Sequence, residues 1–514
     1  MACMKTGMKI LKSKTVYVVA SLITQLVFIT LLLTYFSLQF SIVYYILVGL
    51  SFIISLHVIN RRSDSASKLL WVLMIMALPI CGGMLYLLFG ERTIPKALMI
   101  KDRQAYSDYK KYALQSRHVL TREATNDFVL TKMVNMGWNT GFFPVYENTE
   151  MKYYKTGEEQ FAHIMEDLRN AKEFIFIETF ILHDGKLWEE MLKVLEEKAA
   201  EGVDIRLMYD DWGSMMHTQK NYPDFLASKG IKAHPFNPMH AQLAIQMNNR
   251  DHRKIFVIDG KIAYTGGINI SDEYANIVSK FGYWKDMGVR MAGPAVEMFT
   301  ITFLQIWNYQ DDQNTSYEEF IQPAGSFEKA ENPAYAIPFS DSPTDDAYTG
   351  MSMHMNMLNL ATEYCWITTP YLILNAEMEN TIELACSNGV DVRIIVPGIP
   401  DKKIVYEVTR ANYRRLLEKG VRIYEYTPGF IHGKVFLSDD RNALVGTVNM
   451  DFRSYFFNYE CGVWFQGGGS VKDIRADFEQ LFADSHEITL QEVEDWPFAI
   501  RTTRSFLKVF SPIL

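Results

Sequence analysis

Hydrophobic and polar residues are arranged along this chain in two regimes. Near the N-terminus the apolar residues come in unbroken runs: residues 16–36 carry no charge, and residues 41–59 are interrupted only by His57. Each run is long enough to cross a bilayer as a helix. The joint between them, Ser37-Leu38-Gln39-Phe40, is short and uncharged, which predicts a helical hairpin. Lys5, Lys9, Lys12 and Lys14 precede the first run, and Arg61, Arg62 and Lys68 follow the second. Cationic flanks stay on the cytoplasmic side, so both ends of the hairpin are expected there. A cleaved signal peptide would need a shorter apolar stretch and a small-residue cleavage site, and the sequence has neither. A third apolar run, Leu69 to Phe89, holds Pro79, Gly82 and Gly83 near its middle and is followed by Arg92, Lys96, Lys101, Arg103, Lys110 and Lys111. Those cations favour a segment that enters and returns, or lies at the interface, with a third span as the alternative.

Beyond a polar, helical connector from about Glu91 to Thr131, the pattern changes to short apolar strands alternating with amphipathic helices, and it occurs twice. Phe174 to Glu178 reads as a buried strand, followed by a helix ending at Gly202 and a second strand over Val203–Tyr209. Tyr364 to Thr368, a helical run to Gly389 and Val390–Val396 repeat the arrangement. Gly-Val-Asp-Ile-Arg (202–206) returns as Gly-Val-Asp-Val-Arg (389–393), 187 positions later (389 − 202). Two homologous α/β lobes follow, with mixed sheets flanked by helices. Between them, residues 313–343 are rich in Asn, Ser, Pro and Glu and hold no long apolar run, so the lobe boundary is expected there.

Each lobe carries the same polar motif. Asp251-His252-Arg253-Lys254 leads into Ile255-Phe256-Val257-Ile258-Asp259-Gly260, and Ile431-His432-Gly433-Lys434 leads into Val435-Phe436-Leu437-Ser438-Asp439. Both read His-x-Lys-x-x-x-x-Asp, with a Gly seven residues after the Asp (Gly266, Gly446) and an Asn ten after it (Asn269, Asn449). The two His are 180 positions apart (432 − 252). On a strand, residues i and i+2 share a face, so each His projects with its Lys. Asp259-Gly260 is a hairpin signal, with Lys261–Thr265 as the return strand. It delivers Gly266-Gly267, where backbone can approach a ligand closely, and then Asn269. An imidazole, an ammonium and an amide on one surface suit a phosphate site that contains a nucleophile or proton donor.

Composition narrows the class. Net charge is −9, which argues against a nucleic-acid partner, while 48% hydrophobic and 13% aromatic content is high for a soluble enzyme. Cys3, Cys81, Cys365, Cys386 and Cys461 show neither pairing nor zinc spacing and fit a reducing compartment. His57, His163 and His183 are isolated and lack ligand spacing, so no metal or cofactor is expected. Nothing in the sequence indicates an oligomeric state.

The duplicated motif resembles that of the phospholipase D superfamily. The fuller wording is similar to bacterial cardiolipin synthases: Asn-Arg-Asp-His-Arg-Lys (249–254) with Gly-Gly-Ile-Asn-Ile-Ser-Asp-Glu-Tyr (266–274), and Tyr-Thr-Pro-Gly-Phe-Ile-His-Gly-Lys (426–434) with Asn-Met-Asp-Phe-Arg-Ser (449–454). The resemblance implies two phospholipase D-type lobes packed as a pseudo-dimer behind N-terminal transmembrane helices. The expected divisions are a transmembrane hairpin (1–60), a third apolar segment and connector (61–131), a first lobe (132–320), a linker (321–343) and a second lobe (344–514). It further implies a membrane enzyme whose lobes face the cytoplasm and whose substrate is phosphatidylglycerol, two molecules of which give cardiolipin and glycerol through a phosphohistidine. A phospholipase D-type hydrolase, or a transferase to a different alcohol, is the alternative; a catalytically dead scaffold would have lost one motif.

By the same resemblance His252 is the nucleophile and His432 the general acid and then base. Lys254, Lys434, Asn269 and Asn449 hold the phosphate. Asp259 and Asp439 complete the catalytic motifs, although at a turn five residues past its Lys each suits bracing the hairpin better than touching substrate. A catalytic His needs a carboxylate on its other ring nitrogen. Asp286 and Glu460, 34 and 28 residues past His252 and His432 (286 − 252; 460 − 432), are the expected orienters, each for the His of its own lobe.

Overall fold

The computed structural model describes residues 23–27, 30–31, 38–61, 63–79, 81–86, 126–215, 217–218, 221–238, 249–310, 315–323, 325–344 and 347–513. Most of the first apolar run, the end of the third and most of the connector lie outside the described residues. The chain forms two compact units, one of Met1–Pro95, Met239–Asn249 and Lys508–Leu514, the other of Lys96–Pro238 and Arg250–Leu507.

In the first unit the second apolar run forms α1 (Leu38–Asn60). Its side chains are described without a break only from Tyr44 onward, and among the described residues no helix is long and apolar enough to cross a membrane. The third run is not one helix. Asp64 caps α2 (Ser65–Ala77) by accepting from the N–H groups of Ala66 and Ser67 at 2.8 and 3.2 Å. Pro79 cannot continue that helix, and the chain restarts as α3 (Cys81–Leu85). Val58, Trp71, Ile75 and Tyr86 form a small core in this unit.

Among the described residues the second unit is built on seventeen strands. The first half contributes β1 (Tyr146–Tyr154), β2 (Phe174–Thr179), β3 (Asp204–Asp210), β4 (Lys232–Phe236), β5 (Ile255–Ile258), β6 (Ile262–Gly266), β7 (Tyr283–Lys285) and β8 (Gly288–Ala292). The second half contributes β9 (Pro333–Asp341), β10 (Tyr364–Thr368), β11 (Asp391–Pro397), β12 (Arg422–Tyr426), β13 (Gly429–Ile431), β14 (Lys434–Ser438), β15 (Asn442–Gly446), β16 (Glu460–Gly467) and β17 (Ser485–Ile488). Fifteen of them form one sheet in the order β17-β12-β11-β10-β14-β15-β16-β9-β1-β8-β6-β5-β2-β3-β4. Read outward from the β9–β1 seam, the two halves match strand for strand, with β17 as an extra edge. The expected pair of sheets is therefore a single sheet shared by both lobes.

Helices α4 (Lys186–Ala200) and α5 (Ala376–Ser387) make the corresponding crossovers from β2 to β3 and from β10 to β11, which pair in parallel. Their apolar faces bury side chains such as Trp188 and Met191 on α4 and Met378 and Ile382 on α5, each worth roughly 1.5–3 kcal/mol relative to exposure.

One expected boundary is corrected. Residues 321–343, read as a linker, contain β9, which pairs with both β1 and β16 at the centre of the sheet. Pro333 and Pro338 lie in it, and proline argues against a central strand when only the sequence is read. Burial of Ala334, Ala336, Ile337 and Phe339 between the halves overrides that preference.

Candidate active site

Each motif leads into a short hairpin, β5–β6 or β14–β15, with Ile258 opposite Ile262 and Ser438 opposite Asn442 at the turns. Asp259 and Gly260 adopt left-handed φ values of 53° and 62°, and Asp439 and Asp440 both take 53°. The motif aspartates do not reach the histidines. Asp259 accepts from the N–H groups of Lys172, Glu173 and Phe174 at 2.9, 2.8 and 2.9 Å. Asp439 accepts from those of Thr362, Glu363 and Tyr364 at 2.8, 2.9 and 3.0 Å. Each carboxylate thus clamps the start of the neighbouring strand to the hairpin, at the end of β5 or β14 away from the motif Lys. Their place in the catalytic set is corrected on this geometry, since both carboxylates are taken up by these N–H groups and, for Asp439, by the Thr362 hydroxyl at 3.0 Å.

The two lobes hold each other's histidines. The His252 N–H donates to the Tyr459 carbonyl at 2.9 Å, and the His432 N–H donates to the Lys285 carbonyl at 2.8 Å. Strands β7 and β13 pair in parallel across the lobes, with Lys285 opposite Ile431. The carboxylates follow their strands across. Glu460 takes His252 Nδ1 at 2.9 and 3.0 Å, and Asp286 takes His432 Nδ1 at 2.8 Å. Both predicted orienters are in the site, but each serves the His of the other lobe.

Their surroundings differ in detail. Gly267 lies beside Asp286: a Cβ there would stand 2.0 Å from its Oδ1. The glycine therefore makes room for a carboxylate, not for a ligand. In the second half Thr447 holds the matching place, its N–H bonded to Cys461 O as that of Gly267 is to Met287 O, and its hydroxyl donates to Glu460. Ser454 Oγ and Asn458 Nδ2 also donate to Glu460, at 2.7 and 3.2 Å. With that many donors on it, Glu460 places the His252 proton on Nδ1 and leaves Nε2 as a lone pair. His252 Nε2 has no hydrogen-bond partner among the described residues, whereas His432 Nε2 lies 3.0 Å from Lys434 Nζ. Thr447, Ser454 and Asn458 escape sequence reading because a hydroxyl or amide beside a strand carries no pattern of its own.

Aromatic rings wall the imidazoles. Phe180 packs on His252 at 5.2 Å, while Tyr274, Trp284 and Phe430 surround His432 at 5.4, 5.3 and 5.9 Å. Asn269 ties this wall together, accepting from the Ile181 N–H at 3.1 Å and donating to the Tyr274 hydroxyl at 2.7 Å. Asn449, its counterpart, is buried with an amide oxygen that has no hydrogen-bond partner among the described residues. Arg253, also buried, forms ion pairs with Glu178 at 2.8 Å and Asp251 at 3.1 Å, which fixes the first motif against β2.

Burial sets the protonation pattern. It lowers Lys254 to about 8 and Lys434 to about 7. Burial together with the two lysine charges depresses His252 well below its ordinary value and His432 to about 4. Burial raises Glu460 to about 7, while His432, which donates to Asp286, and the nearby Lys434 charge hold that carboxylate low despite its burial. The free site is thus a pair of neutral imidazoles with cations whose charge an anionic ligand would reinforce. Among the described residues no group of three or more His, Cys, Asp or Glu is arranged to hold a metal ion.

Comparison with known proteins bears on this geometry. The family pattern described as "Cardiolipin synthase, PLD-like domain" matches residues 164–279 and 355–482, one stretch in each lobe, and "Phospholipase_D-nuclease N-terminal" matches residues 49–91. A cardiolipin synthase of Alkalihalophilus pseudofirmus is 32% identical over 87% of this chain and 88% of its own. The chain belongs to the cardiolipin synthase family. Family members are phosphatidyltransferases of the phospholipase D superfamily. An uncharacterized protein of Streptococcus mutans serotype c is 38% identical over 89% of this chain and 99% of its own. The crystal structure of phosphatidylserine synthase from Haemophilus influenzae covers 74% of this chain and 99% of its own, with a TM-score of 0.58 at 17% identity, a likeness of fold.

For a cardiolipin synthase the depressed lysines have a kinetic consequence. A lysine loses its charge as pH rises through its pKa, so the cations that would hold a phosphate fade near pH 7 to 8. The expected profile of kcat/KM for the free enzyme has its alkaline limb there. Lys434→Arg should move that limb upward while lowering the rate, because a guanidinium stays charged. A wild-type limb in the ordinary lysine range, near pH 10, would contradict this protonation pattern.

Proposed function

We propose that the chain transfers the phosphatidyl group of one phosphatidylglycerol to the headgroup hydroxyl of a second, giving cardiolipin and releasing glycerol. The observation that carries this reading is the crossed pair of histidines, each held by a carboxylate from the opposite lobe, in a chain of this family. His252 Nε2 attacks phosphorus and the glycerol oxygen leaves, taking a proton from His432. The phosphatidyl group is then on His252. The hydroxyl of the second lipid gives its proton to His432, which hands it back to Lys434, and displaces His252, which restores both imidazoles and the ammonium. Lys254 and Lys434 face the phosphate, with Asn269 and Asn449 beside them, and offset the charge that grows on its oxygens. The assignment of nucleophile is supported by the bare Nε2 of His252 and by the ammonium of Lys434 beside Nε2 of His432, from which the acid draws its proton.

The test is mass spectrometry of the lipids made by purified protein given phosphatidylglycerol alone. Cardiolipin and glycerol in equal amounts are expected, unchanged by a chelator because nucleophile, acid and cations are all side chains. Phosphatidic acid as the only product would instead establish a hydrolase, and loss of activity to chelator with rescue by one divalent ion would break the mechanism.

We read residues 16–59 as a membrane hairpin that keeps both lobes on the cytoplasmic side. Support comes from the basic flanks of the two apolar runs and from the exposed Ile42, Tyr45, Ile46, Phe52 and Ile53 on α1. Alkaline phosphatase fused after Leu38 should be active, and fused after Asn60 or Leu514 inactive. Activity of the Leu514 fusion would reverse the topology.

A further inference from the structure

Three residues past Phe180, the ring on His252, the same loop carries a polar group that the two-histidine mechanism does not use. His183 Nδ1 lies 2.9 Å from Ser271 Oγ, and Ser271 donates to the carboxylate of Glu273. The direction of this chain is forced. Glu273 can only accept, so the single Ser271 proton goes to it, and Ser271 can then only accept from His183. Neutral His183 therefore carries its proton on Nδ1 and presents a bare Nε2, which takes no hydrogen bond among the described residues. His183 is half-buried, Ser271 is buried, and the His217 ring stands 4.3 Å from that of His183.

The fold does not require this group. Leu182 bridges Ile270 and the His183 N–H donates to Ile270 O at 2.9 Å. In the second lobe Leu372 bridges Met450 and the Ile373 N–H donates to Met450 O, also at 2.9 Å. On the same backbone, His183, Ser271 and Glu273 are replaced by Ile373, Asp451 and Arg453, and Asp451 merely caps a helix by accepting from the Ser454 N–H. The polar relay thus belongs to one lobe only. It is tied to the catalytic centre from two sides: Ile181 binds Asn269, and Tyr274, next to Glu273, packs on His432.

We propose that His183, oriented through Ser271 by Glu273, selects the acceptor alcohol, its Nε2 accepting a hydrogen bond from the hydroxyl of a vicinal diol that does not react. A diol such as the glycerol head of phosphatidylglycerol satisfies it, whereas ethanol and water have no second hydroxyl to offer. The inference rests on phosphatidylglycerol as acceptor. It accounts for a pseudo-symmetric site in which only one flank reads hydroxyls.

The test supplies purified full-length protein with phosphatidylglycerol and a fixed concentration of ethanol and measures cardiolipin against phosphatidylethanol. His183→Ile copies the residue that the second lobe tolerates, so its fold is provided for. The ratio of cardiolipin to phosphatidylethanol should fall about tenfold, the value of one hydrogen bond. Glu273→Gln lets the amide donate to Ser271, which turns the relay round and makes Nε2 a donor, so the ratio should fall in the same direction by less. An unchanged ratio in folded His183→Ile, whatever the total rate, overturns the proposal. A wild type that yields phosphatidylethanol but no cardiolipin refutes the acceptor reading as well, and so marks the two failures apart.

Discussion

His252→Ala is expected to form no phosphatidyl-enzyme at all, and His432→Ala to form one that persists. Loss of a nucleophile removes the intermediate, and turnover should fall by on the order of 10⁴-fold or more. Loss of the acid leaves His252 Nε2 free to attack, but the glycerol oxygen departs without its proton, a cost of about 10²–10⁴-fold. A donor lipid with an acidic leaving group should recover much of that loss in His432→Ala and none in His252→Ala. Quenching each variant in denaturant without acid preserves the phosphoramidate bond, and mass spectrometry of peptides then locates the adduct. Adduct on His432 in the His252→Ala protein would exchange the two roles. Full turnover in either variant would end the two-histidine mechanism.

The carboxylate variants should follow the crossed pairing. Glu460→Gln takes the charge off the acceptor of His252 Nδ1, at 2.9 Å, and lets an amide N–H face that nitrogen, which frees the imidazole to adopt the tautomer whose Nε2 carries the proton. The attacking lone pair is lost, so the variant should behave like His252→Ala, with turnover down by about 10²–10⁴-fold and no adduct. Asp286→Asn, its amide oxygen kept by the Met287 N–H, turns an N–H towards His432 Nδ1 in place of the oxygen at 2.8 Å and should behave like His432→Ala, with adduct on His252 that decays slowly. Pairing within each lobe predicts the reverse, so adduct in Glu460→Gln and none in Asp286→Asn would refute the crossed arrangement. Combining Glu460→Gln with His252→Ala should cost no more than His252→Ala alone, since the two act as one unit.

Much of this was legible in the chain. The strand over Tyr364–Thr368 is β10 residue for residue, and Asp259-Gly260 is the turn its composition demands. His432 does stand with its Lys, whose Nζ lies 3.0 Å from Nε2, but both His precede β5 and β14 instead of lying on them, and Lys254 Nζ turns to the His252 carbonyl at 2.6 Å. Asp286 and Glu460 were found because a catalytic imidazole needs a carboxylate. Their partners were misassigned because spacing along the chain measures the route through one lobe, not the distance across a seam. His183 was set aside as isolated for the same reason: Ser271 and Glu273 lie 88 and 90 positions away (271 − 183; 273 − 183).

The sequence by itself determined what is local or repeated: the apolar runs, the strand periods, the duplicated motif, and through it the family and the phosphate chemistry. The tertiary structure decided what depends on the seam. Joining β1 to β9 merges two sheets into one despite two prolines, while pairing β7 with β13 carries Asp286, and the bridge between Asp251 and Tyr459 carries Glu460, past its own lobe. It also decided that Asp259 and Asp439 serve backbone rather than substrate, and that buried lysines titrate near neutrality. Hydrogen-bond partners and desolvation are set by which surfaces meet, and no window of residues along one strand contains the surface it will meet.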